Sequence, residues 1–483
     1  MSFTTELRVP PDSTFLSLVE SFVVDAATRS ELNDDQQRGI VTAAKLAFET
    51  TVQVALTECR EPLHLVAVCS PLSLVLSLFE RGLPVDDALA RRISDWSKLG
   101  SAVDEAHWYL HGTAGSELRL VVNRTHGIAT ADVAPPREED VPLAPPQKYT
   151  VHRFEPDDAP GVARAFYLTY GYAYDLPAVY VPSRLIELNE SGRYVSIVAI
   201  DAAGDVAGHY ALARGGDEPI ADACGAVVLP AHRGRALLNK LRDRAEEEAI
   251  ELGLAAYYSE PVTDHPRTQH ASESFGAKAC GITLGEAPRR FIARHMQLSA
   301  TSQRQSCMLY VKALKKREAR IIYPPLRHRA MVAAIYDQLQ LRVTAAAGGG
   351  PSTQRGVFHT TIARADGIAT IEITSIGSET AELVRQTVED LCATNRLGAI
   401  YASLPLEDAG TPAACEAMER TGLFFSGVGP WMLAGSDSLR LQMPLTPIDL
   451  SELVVIGDFG RQLLDYIAAE SERCTAMRAT IAK

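Results

Sequence analysis

Val227-Val228-Leu229-Pro230-Ala231-His232-Arg233-Gly234-Arg235-Ala236 runs directly into a helical pattern at residues 237–251. The opening residues are β-branched or apolar and read as a strand end. Pro230 halts the strand, and Gly234 lies in a basic turn ahead of the helix. Strand, turn and helix in that order gather free backbone N–H groups, the positive end of a helix dipole and the guanidinium groups of Arg233 and Arg235 about one point. A pyrophosphate suits such a cradle, and its candidate contacts are Val227, Val228, Leu229, Arg233, Gly234, Arg235, Ala236, Leu237 and Leu238. An ordinary strand-to-helix turn with solvated arginines is the other reading of the same ten residues.

Around this stretch, the 483 residues suffice for about three domains of common size. The 47 basic and 60 acidic residues leave a net charge of -13, which argues against a general nucleic-acid surface. Small molecules or proteins are the expected partners. Residues 1–11 lack a signal-peptide pattern, and the most apolar run, 63–79, is interrupted by Pro71 and polar residues. These features predict a soluble, cytoplasmic protein without a membrane association. The eight cysteines are scattered and never spell Cys-x-x-Cys, a pattern that predicts reduced thiols rather than a disulfide framework or a metal site.

Five prolines between 134 and 147, around Glu138-Glu139-Asp140, read as a semi-rigid linker. The expected organisation is therefore a domain at 1–132, a linker at 133–148, a domain at 149–315 and a domain at 316–483. The Gly-rich segment 345–356 reads as a loop within the last. That last domain repeats part of the one before it. Ala255-Ala256-Tyr257-Tyr258-Ser259-Glu260-Pro261 and Ala399-Ile400-Tyr401-Ala402-Ser403-Leu404-Pro405 share Ala-x-Tyr-x-Ser-x-Pro, and each precedes a glycine pair five apart, Gly276 with Gly281 and Gly422 with Gly427. Short strands alternating with helices predict an α/β (α+β) class with mixed sheets. Where the first copy has its basic turn, the second has Ser375-Ile376-Gly377-Ser378-Glu379. A carboxylate there repels a pyrophosphate, so the second copy is expected to be a non-catalytic, structural or gating half.

The turn resembles the acetyl-coenzyme A motif of the GNAT N-acetyltransferases, Arg/Gln-x-x-Gly-x-Gly/Ala. Arg233 takes its first position, Ala236 stands at the first Gly and Leu238 at the final small residue. The resemblance spans 150–315 and implies an acyl-CoA-dependent N-acyltransferase that moves an acyl group, such as acetyl, to a small-molecule or protein amine. It also implies that backbone N–H groups at Val227 and Leu229 polarise the thioester carbonyl. The family's acid, a tyrosine, falls on Ser272. Tyr257, Tyr258, Glu260, His265 and His270 are the nearest replacements, and Tyr258, Glu260 and His265 are the candidate catalytic residues. His265 titrates near neutrality and suits a general base. Tyr167, Tyr170, Tyr172 and Tyr174 stand where the family binds its acceptor, and packing accounts for them equally well.

Residues 5–130 resemble the ATP-binding domain of the anti-sigma-factor serine kinases, within the histidine-kinase-like ATPase superfamily. This implies an N-terminal ATPase-like α/β sandwich in a bacterial setting. Glu49 and Gln53 stand where the family has Glu-x-x-x-Asn, Glu80 before Gly82 where it has Asp-x-Gly, and Gly100 follows in Lys98-Leu99-Gly100. The altered metal ligand at Gln53 predicts a retained fold without ATP or Mg²⁺ chemistry, in a regulatory or assembly role. A second class of function stays open: a non-enzymatic signalling or scaffold protein of a sigma-factor-type pathway that binds acyl-CoA or a protein partner.

Overall fold

The computed structural model describes residues 3–54, 62–69, 73–80, 102–110, 116–123, 143–145, 147–170, 174, 176–216, 218–288, 303–350, 355–363, 366–393 and 397–481. The chain is an α/β protein. Its N-terminal part contains β1 (Phe3–Val9), α1 (Leu16–Arg29), α2 (Asp34–Val54), β2 (Leu63–Cys69), β3 (Ser73–Glu80), β4 (Glu105–Leu110) and β5 (Ser116–Asn123). The strands pair antiparallel in the order β1-β2-β3-β5-β4. Leu63, Leu65, Ala67 and Cys69 alternate inward along β2, as a half-buried strand requires, and Val19, Phe48, Leu65 and Leu78 pack together.

The middle part runs β6 (Thr150–Arg153), α3 (Ala159–Tyr170), α4 (Pro182–Glu190), β7 (Tyr194–Ile200), β8 (Val206–Ala213), β9 (Ile220–Val228), α5 (Leu237–Glu251), β10 (Ala256–Ser259), α6 (Arg267–Ser274), β11 (Lys278–Ala287) and β12 (Gln305–Ala313). β7 and β8 are buried on both faces, which fits their near-continuous apolar sequence. Asp201 turns the hairpin between them by accepting from the N–H groups of Ala203 and Asp205. The last part runs β13 (Arg320–Ile322), α7 (Arg329–Leu339), β14 (Val343–Ala345), β15 (Val357–Ala363), β16 (Ile368–Ser375), α8 (Thr380–Ala393), β17 (Ala399–Pro405), α9 (Thr411–Arg420), β18 (Phe424–Leu433), β19 (Ser436–Pro444) and α10 (Asp458–Ile481). Periodicity does not single out α4 or β12: the first is only 9 residues long, and the second is an apolar run buried on both faces.

Strand registers link the parts into one continuous path among the described residues: β6-β7-β8-β9-β10-β12-β11-β18-β19-β17-β16-β15-β4-β5-β3-β2-β1. The two Ala-x-Tyr-x-Ser-x-Pro runs form β10 and β17, which hold corresponding positions. β11 and β18 meet at one residue pair, Gly281 opposite Gly427, and each strand carries an irregularity just before that glycine. A Cβ on Gly427 would lie 2.4 Å from both the Cys280 carbonyl oxygen and the Gly281 Cα, and its φ is +151°. Only glycine permits this crossing. Farther along the path, β15 pairs antiparallel with β4 and joins the N-terminal sheet to the last part. The end of the Pro-rich linker is tied down as well, since Ala144 N–H donates to the Ala231 carbonyl at 2.8 Å.

Candidate active site

β9 and β10 are parallel, paired from Ile220–Ala256 to Asp222–Tyr258, and β9 then continues to Val228 with no strand on that edge among the described residues. On its other side β9 stays paired with β8. Leu229 N–H donates to the Ala207 carbonyl at 3.0 Å, and Val228 lies opposite Gly208. Antiparallel alternation therefore turns the N–H of Val227 and Leu229 toward β8 and that of Val228 toward the open edge. The donor facing the gap is Val228, rather than the Val227 and Leu229 pair implied by the sequence resemblance.

Beyond β9, Pro230–His232 form a single 3₁₀ turn, Gly234 has φ +74° and Ala236, in the left-handed region at φ +53°, precedes α5. Among the described residues no side chain caps α5. Its first N–H groups, from Leu237 and Leu238 onward, have no intrahelical acceptor, and the dipole concentrates positive potential there. Arg233 Nε donates to the Val228 carbonyl at 3.1 Å, and the Arg235 guanidinium donates to the Ala144 carbonyl. Both arginines thus brace the turn and the linker end, while the backbone supplies the open donors.

The corresponding turn of the second repeat is filled from within. β16 and β17 stay paired over five residues, Gly356 N–H donates to the Glu379 carboxylate at 2.8 Å, and Gly377 N–H donates to Thr380 Oγ1 at 2.8 Å.

Below the open edge, β9 has a register break held by side chains. His209 Nδ1–H donates to the Gly225 carbonyl at 2.7 Å, and burial lowers this imidazole to about 4, so it is neutral at pH 7. Tyr170 donates to the Ala226 carbonyl at 3.2 Å, and Tyr174 accepts from Gly225 N–H at 3.0 Å. Two of the four tyrosines expected at an acceptor pocket thus touch β9. Tyr167 is half-buried on α3, and Tyr172 lies outside the described residues.

Tyr258 and Glu260 come together at the end of β10. Burial, with the Asp222 and Glu260 carboxylates, raises the Tyr258 phenol far above its usual range and keeps it protonated. Arg440, on β19 of the second repeat, faces Glu260 at 3.7 Å. Glu286 and Cys307, at the adjoining ends of β11 and β12, join the group. Burial and the Glu260 carboxylate push the Glu286 carboxyl up to about 8, against a hydrogen bond from the Cys307 thiol. Neither Glu286 nor Arg440 is signalled by any motif; they reach Glu260 only through the strand path. His265 is not drawn into this group. Burial lowers its pKa, aided by Arg267, and its Nδ1 is buried without a partner among the described residues. Ser272 is buried with its hydroxyl 3.0 Å from that of Ser259, and Tyr257 turns the other way, donating to Glu246 at 3.1 Å.

In the N-terminal part, Glu49 is exposed on α2 and Glu80 is buried at the end of β3. Gly82, Gly100 and the Gln53 side chain lie outside the described residues. Elsewhere, His328, Cys415, Glu419, Glu470 and Cys474 cluster between α7, α9 and α10 with donor atoms close enough for a metal. Arginines already engage those carboxylates: Arg327 holds Glu470 at 2.7 Å, and Arg473 bridges Glu470 and Glu419 at 2.6 and 2.5 Å. This arrangement is an ion-pair lock between helices.

No protein-family model matches the sequence, and no curated protein matches it. Solved structures that match include N-acetyltransferases, some of the GNAT family, that align with about a third of the chain. An N-acetyltransferase from Staphylococcus aureus is 12% identical over 35% of this chain and 99% of its own, with a TM-score of 0.28. A GNAT-family N-acetyltransferase from Escherichia coli in complex with CoA is 22% identical over 28% and 72%, with a TM-score of 0.23. The ribosomal-protein-S18-alanine N-acetyltransferase from Escherichia coli is 16% identical over 35% and 97%, with a TM-score of 0.28. Likeness at this level carries no functional weight, which rests on the chain's own geometry. No helix among the described residues is long and apolar enough to cross a membrane.

Proposed function

We propose that the middle part is an acyl-CoA-dependent N-acyltransferase acting on an amine. One observation carries this reading: beyond Asp222 no described strand covers the far edge of β9, and one 3₁₀ turn and the turn 233–236 connect that strand to an N-terminus of α5 that no described side chain caps. A pantetheine chain offers amide groups that pair with such an edge, and a pyrophosphate matches the N–H groups from Gly234 to Leu238. Val228 N–H then lies where a thioester carbonyl would develop negative charge, a contribution of about 3 kcal/mol for one preorganised donor. Among the nearby side chains, a carboxylate at Glu260 can take the proton of an attacking ammonium. Tyr258 is the candidate donor of a proton to the departing thiolate, a transfer that its burial beside the Asp222 and Glu260 carboxylates opposes. The second repeat, with Glu379 occupying its own turn, is read as a supporting half. The N-terminal part is read as a regulatory or assembly module related to the anti-sigma-factor kinases.

Calorimetric titration with acetyl-CoA, followed by thiol-release assays against a panel of amines, tests the proposal. Wild type should bind, and Arg233→Glu, which places a carboxylate beside the cradle, should weaken binding by about 100-fold or more. Equal affinity in the two proteins would remove the cradle assignment. Tight binding with no thiol release for any amine would favour an acyl-CoA sensor.

A further inference from the structure

The end of the Pro-rich linker lies against the turn to which the transferase reading assigns the pyrophosphate. Ala144 N–H donates to the Ala231 carbonyl at 2.8 Å, and the Ala144 carbonyl accepts from the Arg235 guanidinium. That contact satisfies Arg235 only in part, because its buried Nε has no hydrogen-bond partner among the described residues. Leu143 is 67% exposed and Pro145 is exposed as well, so the two backbone contacts rather than apolar packing hold residues 143–145 in place. The chain just beyond is firmly anchored. Tyr149 packs against the core layer that includes Leu237 and Leu241, its hydroxyl lies 3.0 Å from His232 Nδ1, and Thr150 opens β6 opposite Ile200. Gln147 Oε1 also accepts from Ala202 N–H at 3.1 Å. A lightly held segment thus meets a fixed one directly beside the cradle, which is how a strap that can lift is built.

Resting on the transferase reading, we propose that residues 143–145 are a strap that regulates acyl-CoA binding by competing with the pyrophosphate for Arg235. Toward the neutral Ala144 carbonyl the guanidinium makes a single contact. A phosphate offers it a charge-assisted, bidentate match about twice as strong per bond, and the Nε that the strap leaves unpaired completes the fork. As Arg235 turns to the phosphate, the Ala144 carbonyl passes to water and the strap keeps one hydrogen bond of two. Competition for one guanidinium is reciprocal: the factor by which a closed strap weakens acyl-CoA is the factor by which acyl-CoA weakens the strap. The strap is continuous in sequence with the linker and the N-terminal part, which therefore has a covalent handle on the cradle. Holding the strap down disfavours acyl-CoA, and drawing it off admits the ligand.

The test combines hydrogen exchange with calorimetric titration of CoA into the full chain, and thermal melts confirm folding of every variant. Pro145 and Pro146 carry no amide, so the Ala144 N–H can be followed by itself. In the wild type, saturating CoA should speed its exchange by about tenfold or more while slowing that of Leu237 and Leu238. Ala144→Pro deletes the donor to Ala231 and should bind CoA tighter by about fivefold or more. Arg235→Ala should free the strap with no ligand present, so that Ala144 exchanges fast in both states, and should bind CoA more weakly than wild type. CoA binding that leaves Ala144 exchange unchanged or slower, or equal or weaker binding by folded Ala144→Pro, would overturn the proposal and spare the transferase reading. Binding by Ala144→Pro but not by wild type would support both. No CoA binding by either protein would remove the transferase reading, and the strap with it.

Discussion

Replacing Glu286 by Gln should stabilise the protein at pH 8.5 and leave it nearly unchanged at pH 5. The charges acting on Glu286 are Glu260 just past β10, Asp222 on β9 and Arg440 on β19, Cys307 on β12 donates a hydrogen bond to it, and the Arg304 guanidinium reaches its main-chain oxygen at 3.4 Å; burial with the Glu260 carboxylate lifts the carboxyl from 4.5 to about 8. Between those two values the folded chain keeps a proton that the unfolded chain has released, so stability falls as pH rises through this window. Each tenfold change in proton affinity is worth about 1.4 kcal/mol, which sets a ceiling of about 4 to 5 kcal/mol for this carboxyl. Water and the nearby guanidinium reduce what is realised at pH 8.5 to about 2 to 3 kcal/mol. Gln keeps the shape and cannot ionise. Differential scanning calorimetry should therefore show the variant melting about 5 °C above wild type at pH 8.5, with the gap closing by pH 5. A melting difference that does not change with pH would refute the reasoning, because only an ionising carboxyl produces the dependence.

Gly427→Ala forces a Cβ to within 2.4 Å of the Cys280 carbonyl at a left-handed φ, and denaturant unfolding should report a loss of about 3 kcal/mol or more. Glu260→Gln should lower the rate of thiol release by about 100-fold, while Ser272→Ala and His265→Ala should each stay within a few-fold. The opposite order would return the proton transfer to the loop after β10. The N-terminal part should transfer no phosphoryl group from ATP to any protein, and radiolabel transfer abolished by Glu49→Ala would show that its chemistry survives.

The strand, turn and helix from Val227 onward are legible because each uses strong local signals: β-branched residues, a proline stop and a glycine in a left-handed turn. The repeat is legible because Ala-x-Tyr-x-Ser-x-Pro recurs, each time followed by a glycine pair five apart. What escapes reading depends on distance. Glu286 and Arg440 become neighbours of Glu260 only through pairing across β12, β11, β18 and β19, and no local pattern marks a residue for that role. The donor facing the gap likewise turns on register: one residue of phase decides whether Val228 or its neighbours face the open edge. The Arg233 and Arg235 side chains illustrate a third limit, since the sequence supplies two guanidinium groups while packing turns both toward backbone carbonyls.

The pairing of β4 with β15 sets a timetable for the chain as it is synthesised. His107 and Thr361 lie opposite each other with side chains 2.9 Å apart, yet they are separated by 254 residues. At about 5 to 20 residues per second, translation needs roughly 12 to 50 s to cover that distance, long after the N-terminal sheet has the material to form. Throughout that interval the outer side of β4 is a bare strand edge, a template for pairing with other chains. Nascent chains halted before β15 should therefore associate through this edge or recruit a chaperone to cover it. Synthesis of the last part then closes the edge from within the same molecule.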